Sequence, residues 1–193
     1  MKTYRIVSAL VIVSVVGASA YYFYQRHAER TGGVISEEIV HDGDSWRVHY
    51  VVRLPAAEKE VFDALEKIEK SRPENVKRVT IVEQNADSKT VDLELEGPAG
   101  MTIRTRMVFQ YFRADRRITH HTVGNQLLDT NGEYKLKGFE GTTEIDYHQT
   151  TKVLQRLPVP DQVVKNIVRS QFMAQLSGLK RALDVANDDE DDQ

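Results

Sequence analysis

Cysteine is absent from the 193 residues, which excludes disulfide scaffolds, zinc ribbons, iron–sulfur sites and cysteine nucleophiles. A strong excess of one charge is lacking too. Lys and Arg total 26 against 29 Asp and Glu, for a formal net charge of −3. Dedicated nucleic-acid binders carry a basic excess, so no nucleic-acid partner is expected. There is no Gly-x-Ser-x-Gly elbow, Gly-rich phosphate loop or dinucleotide fingerprint. Acyl hydrolysis, phosphoryl transfer and hydride transfer therefore have no motif to rest on, and no cofactor is expected. With 40% hydrophobic and 28% charged residues, the composition suits one globular domain.

One long hydrophobic run is present, at the amino terminus. Ile6 to Tyr24 is a stretch of 19 residues without a charge, preceded by Lys2 and Arg5 and followed by Arg26 and Arg30. As a helix it reaches about 28 Å, close to the hydrocarbon thickness of a bilayer. Tyr21, Tyr22, Phe23 and Tyr24 cluster at its outer end, where amphipathic rings favour the headgroup zone. Residues 1–30 thus read as a signal anchor contacting the membrane through 6–24. The alternative is a secretory signal peptide cleaved near Ala20, after Ala18-Ser19-Ala20. Both readings place the domain outside the cytosol, in the periplasm if the source is bacterial.

Charge also divides the rest of the chain. Residues 187–193 hold five carboxylates and no apolar side chain, so they read as a disordered acidic tail. Thr31-Gly32-Gly33 and Asp42-Gly43-Asp44 bracket residues 31–43, which read as a linker with a short strand inside it. The domain itself spans 44–186.

Within it, alternation predicts a half-buried strand over 45–54, with Trp46, Val48, Tyr50, Val52 and Leu54 on one face. Residues 56–70 switch to helical spacing, with Val61, Phe62, Leu65 and Ile68 on one side. Strands follow at 76–84, 89–96, 101–112, 117–123, 127–138 and 142–154, separated by turn-forming residues. Charges suggest the register: Asp92 faces Arg106 and Glu94 faces Arg104. A two-residue Glu140-Gly141 loop sets Lys137 opposite Glu144 and Lys135 opposite Asp146. Asp161 is a suitable N-cap for a long helix over 161–185. Val164, Val168, Phe172, Leu176, Leu179 and Leu183 form a continuous apolar stripe on it. Such a stripe must lie against something, and the open face of the sheet is the only large candidate.

This order of strand, short helix, six strands and a long closing helix resembles the START-like (SRPBCC) helix-grip superfamily over roughly residues 44–185. The final segment, RLPVPDQVVKNIVRSQFMAQLSGLKRAL, is similar to the carboxy-terminal helix of such domains, with a proline-rich start and a Leu-x-x-Leu end. The resemblance implies an α+β fold: a curved seven-stranded antiparallel sheet wrapped around the long helix, preceded here by the membrane segment. It also implies an elongated apolar cavity for a lipid, sterol, isoprenoid quinone or polyketide. It does not imply one activity, because the fold hosts carriers, enzymes and receptors.

Candidate ligand-binding residues follow from the inward rows. Ile103, Met107, Phe109, Val164, Val168 and Phe172 form an apolar wall. Thr105, His120, Tyr134 and Tyr147 are polar groups in inward positions, where a dry core favours aliphatic side chains. They suit a cavity that orients a polar end of the ligand, or they satisfy one another. His120 as a general base with Tyr134 or Tyr147 stabilising an enolate is the enzymatic alternative, a polyketide cyclase or dehydratase. A carrier is favoured over an enzyme, and no catalytic residue is assigned. A third reading is a protein-interaction module with a filled cavity, its protein partner unknown. No metal site is expected from spacing: His120 and His121 point to opposite faces of a strand, and His41, His49 and His148 show no chelating interval. Only folding could assemble one.

Overall fold

The computed structural model describes residues 32–67, 69, 76–96, 102–125, 128–154 and 160–191, with side chains in the last helix described as far as Asp184. The segment 6–24, the Gly97–Gly100 turn and the apolar stretch 156–159 lie outside the described residues. Among the described residues no helix is long and apolar enough to cross a membrane.

Among the described residues, eight strands form one antiparallel sheet: β1 (Gly33–Asp42), β2 (Ser45–Leu54), β3 (Val76–Gln84), β4 (Ser88–Glu96), β5 (Thr102–Phe112), β6 (Arg117–Val123), β7 (Leu128–Phe139) and β8 (Thr142–Val153). Their spatial order is β1-β2-β8-β7-β6-β5-β4-β3. A short helix, α1 (Glu58–Glu66), follows β2, and a long helix, α2 (Asp161–Asp191), closes the chain.

The expected seven strands are therefore eight, because the stretch read as a linker is mostly strand. β1 pairs with β2 from Gly33 opposite Arg53 to Asp42 opposite Ser45, with a bulge between Val34 and Ser36. It is an edge strand, and Ile39 is its one fully buried residue, so it lacks the clean alternation that marks a strand in sequence. The bulge shifts the phase further.

Register elsewhere follows the charges. Asp92 lies opposite Arg106 and Glu94 opposite Arg104, and both pairs are ion-paired. Lys135 and Lys137 do lie opposite Asp146 and Glu144 across a tight turn at Glu140-Gly141, with Gly141 at φ 69°. Their side chains, however, find other partners. Glu144 takes Arg53 at 2.8 Å, and Lys135 takes Glu133 at 2.8 Å. β8 is flanked by β2 as well as β7, and β2 supplies a competing cation to the same outer face.

The long helix crosses the concave face antiparallel to β1. His41 Nδ1 and Asp161 Oδ2 are 2.8 Å apart at one end. Arg169 donates to both carboxylate oxygens of Glu37 in the middle, and Lys180 Nζ donates to the Gly32 carbonyl at 2.5 Å towards the other end. Asp161 is thus the first helical residue, turned to His41 rather than capping, although its carboxylate still sits at the positive end of the helix dipole. The helix also continues to Asp191, into the tail expected to be disordered. No proline or glycine follows Gly178 to stop it.

Phe172, Leu176, Leu179 and Leu183 are buried, against Tyr50, Val52 and Leu54 of β2, Leu136 of β7, Ile145 and Tyr147 of β8, and Val61 and Phe62 of α1. At the start of α1 the Glu60 carboxylate accepts the Ala57 N–H at 2.8 Å. Beyond its end the Lys89 ammonium, only 2% exposed, donates to the Glu66 carbonyl and the Glu69 carboxylate. A cation there satisfies the helix's unpaired carbonyls. Among the described residues, the buried apolar core runs from Ile39 to Leu183.

Candidate functional site

The inward residues line up in rows across the strands. The first row runs Tyr50–Tyr147–Tyr134–Ile118–Tyr111, each opposite the next. The second runs Val48–Gln149–Gly132–His120–Phe109–Lys89. In the third, Trp46, Thr151 and Thr130 lie opposite one another. The Thr130 N–H then donates to Thr122 Oγ1 at 2.9 Å, and Thr122 faces Met107.

The ten expected site residues all lie in strands β5 to β8 or on α2, in two groups. Phe109, His120, Tyr134, Tyr147 and Phe172 are buried and form one aromatic cluster. Phe172 stacks on Tyr50 at 3.7 Å between ring centroids and on Tyr147 at 5.4 Å. Tyr147 stacks on Tyr134 at 4.4 Å, and His120 lies within 6.0 Å of Phe109, Tyr134 and Tyr147. The other five, Ile103, Thr105, Met107, Val164 and Val168, are only half-buried.

That division is ordered in space. Along β5 burial falls from Tyr111 and Phe109 to Met107, Thr105 and Ile103. On β6 it falls from Ile118 and His120 to Thr122. Along α2 it falls from Phe172 back to Val168 and Val164. The helix therefore seals the sheet over the aromatic cluster, and its first turns leave inward-facing side chains of β5 and β6 partly uncovered. On these first turns Val163 and Ile167 are exposed apolar residues, 42% and 37% accessible, whereas the exposed Val123 and Leu154 continue the outward-facing rows of β6 and β8.

A polar ladder crosses the floor between the two groups. The Tyr147 hydroxyl donates to Gln149 Oε1, Gln149 Nε2 donates to Thr151 Oγ1 at 2.9 Å, and Thr151 bonds Thr130 at 3.1 Å. Asn125 Nδ2 donates to Thr105 Oγ1 at 3.1 Å, and Gln175 of the helix donates to the Tyr134 hydroxyl at 2.6 Å. Asn125 and Gln175 join this floor without a marker in the sequence pattern. Their signal was weak, since one follows a strand and the other lies on the flank of the helical stripe.

His120 Nε2 lies 3.3 Å from the Tyr147 hydroxyl, while its Nδ1 is buried without a partner among the described residues. The Tyr50 and Tyr111 hydroxyls are likewise buried and unpartnered among them. Burial lowers the His120 pKa to about 4, with the neighbouring His121 adding to the effect. Burial also raises Tyr134 to about 12 and Tyr147 well above its ordinary value. All these groups are therefore neutral near pH 7.

The outer face carries a second grouping that spacing along the chain does not reveal. His49 of β2 and His148 of β8 are cross-strand partners, and both reach Asp146.

No family model matches the chain, and no curated protein does. Solved structures do match. TTHA0849 from Thermus thermophilus is 13% identical, with a TM-score of 0.62 over 72% of this chain and 98% of its own. The Zhui aromatase/cyclase from Streptomyces sp. R1128 is 15% identical, also at 0.62, over 72% and 94%. A START superfamily protein from Mycobacterium smegmatis is 13% identical, at 0.58, over 72% and 98%. At such identities the likeness concerns the fold: the chain has the START-like helix-grip architecture.

Proposed function

We propose that this protein binds a hydrophobic small molecule, a lipid, isoprenoid quinone or polyketide-like compound, in the cleft between α2 and strands β5 and β6, and that residues 6–24 hold it at a membrane. The observation that carries this reading is the matched fall in burial along β5, β6 and α2. Inward-facing Ile103, Met107, Val164 and Val168 gain the most when a ligand completes their burial, at about 25 cal/mol per Å² of apolar surface covered. Thr105, Gln149 and Thr151 lie along the same floor and suit one polar end of such a ligand. The exposed Val163 and Ile167 on the first turns of α2 adjoin Val164 and Val168, and apolar surface there favours transfer directly from a bilayer. A tether in an extracytoplasmic setting keeps that path short.

The enzymatic alternative rests on His120 beside Tyr147. A base with its pKa near 4 is weak at neutral pH, and tyrosines held above their ordinary range are poor acids there. The solved neighbours include an aromatase/cyclase, but at 15% identity its activity does not transfer. Sequestration and transfer fit this floor better than turnover.

Val168→Arg tests the reading. Val168 is half-buried, so a long side chain there can rest its stem in the cleft without unfolding the domain. Uptake of a fluorescent acyl-chain probe by residues 32–193 is expected to fall at least tenfold in the variant, with its circular dichroism unchanged. Equal uptake by both proteins contradicts the proposed site.

A further inference from the structure

We propose that His49, Asp146 and His148 form a binding site for a zinc-class divalent cation on the outer face of the sheet, opposite the ligand cleft. The three residues converge through strand register. His49 and His148 sit directly across the β2–β8 pair, and Asp146 lies two residues before His148 on the same face. Both imidazole Nε2 atoms point at one oxygen: Asp146 Oδ1 is 2.7 Å from His49 and 3.0 Å from His148. The three ligand atoms all fall within 4.8 Å of one another.

These distances suit a tetrahedral ion. Metal–nitrogen and metal–oxygen bonds of about 2.0–2.1 Å place neighbouring donors about 3.3 Å apart. Because each Nε2 lone pair lies in its ring plane, the two nearly parallel rings tilt towards each other to meet one ion. The two rings are stacked at 4.1 Å with only 8° between their planes.

The donor set selects the ion. Two imidazole nitrogens and one carboxylate oxygen suit Zn²⁺ and its transition-metal neighbours, whereas Mg²⁺ and Ca²⁺ take oxygen. Side-chain exposures of 34%, 43% and 50% for His49, Asp146 and His148 let an ion arrive without opening the fold. His148 also borders an outer-face depression of about 360 Å³ lined further by His121, Asn131 and Glu133, which leaves space for water as a fourth ligand. The ion would clasp β2 to β8, the two strands whose inward Tyr50 and Tyr147 support Phe172 of the long helix.

The test uses the full chain in detergent, freed of any histidine tag and stripped with a chelator, then titrated calorimetrically with Zn²⁺ and separately with Mg²⁺. Expected are one equivalent of Zn²⁺ bound, no Mg²⁺ response, and a thermal midpoint that rises with Zn²⁺. Affinity is expected to fall at least tenfold in His49→Ala, His148→Ala and Asp146→Asn, and to stay unchanged in His41→Ala. Co²⁺ in place of Zn²⁺ should give the visible absorption of a tetrahedral site. His49→Gln and His148→Gln provide the same comparison if an alanine variant folds poorly. Absence of Zn²⁺ binding, or binding that persists in the His49/His148 double variant, overturns the proposal.

Discussion

The His120 imidazole occupies the space above Gly132 that a side chain there would fill: a Cβ built on Gly132 would stand 2.2 Å from His120 Nε2 and 2.5 Å from its Cε1. The two residues are opposite one another on β6 and β7. The missing side chain at Gly132 lets the ring of His120 lie flat in the floor beside Tyr134 and Tyr147.

Gly132→Ala is therefore expected to destabilise the domain by about 1–3 kcal/mol through overpacking, despite the smaller entropy of the unfolded chain with alanine. His120→Ala in the same molecule should restore most of that loss. Urea unfolding of the two single variants and the double variant gives the coupling directly. Additive losses would mean that the two residues do not compete for the same space.

The buried His120 also sets a pH dependence. Its folded pKa, about 4, lies below the ordinary value of 6.5. Between those values the unfolded chain binds a proton that the folded chain refuses. Stability is then complete above pH 6.5 and is lost as pH falls towards 4, by on the order of 3 kcal/mol at most. His120→Gln should flatten this part of the stability–pH curve while leaving other titrations in place. Parallel curves for the two proteins from pH 6.5 to 4 would contradict the burial of His120.

Phe172 fixes the long helix to the sheet by its parallel stack on Tyr50. Phe172→Ala removes a buried ring and is expected to cost about 3–5 kcal/mol. Amide exchange should then rise first along α2, where the helix loses its central contact. A loss below about 1 kcal/mol would show that the helix is held mainly by its ion pairs at Glu37 and His41.

Much of this fold was legible in the sequence because burial and charge repeat with the strand period. Trp46, Val48, Tyr50, Val52 and Leu54 alternate without a break and are all buried. Asp92 with Arg106 and Glu94 with Arg104 gave the β4–β5 register, since a slip of one residue would break both pairs. β1 was missed as a full strand because it is bulged, lies at an edge and buries little. Lys137 lies opposite Glu144 as the hairpin implies, but Glu144 bonds Arg53, 91 residues away, which local pairing does not reveal. The outer His49–Asp146–His148 group was invisible for the same reason, with 97 residues separating His49 from Asp146. The inward rows of β5 to β8 were legible from strand alternation, but which of their side chains α2 buries and which it leaves half-buried depends on the path of the helix.

The central claim is that the cleft under the first turns of α2 holds a hydrophobic ligand. It is tested most directly by purifying residues 32–193 from membrane-containing cells, extracting the domain with organic solvent and identifying the released compounds by mass spectrometry. The expected result is one enriched lipid, quinone or polyketide-like compound near one equivalent, missing from Val168→Arg prepared in parallel. An extract with no enriched compound, from a folded domain that also fails to take up fluorescent lipids, would contradict the account.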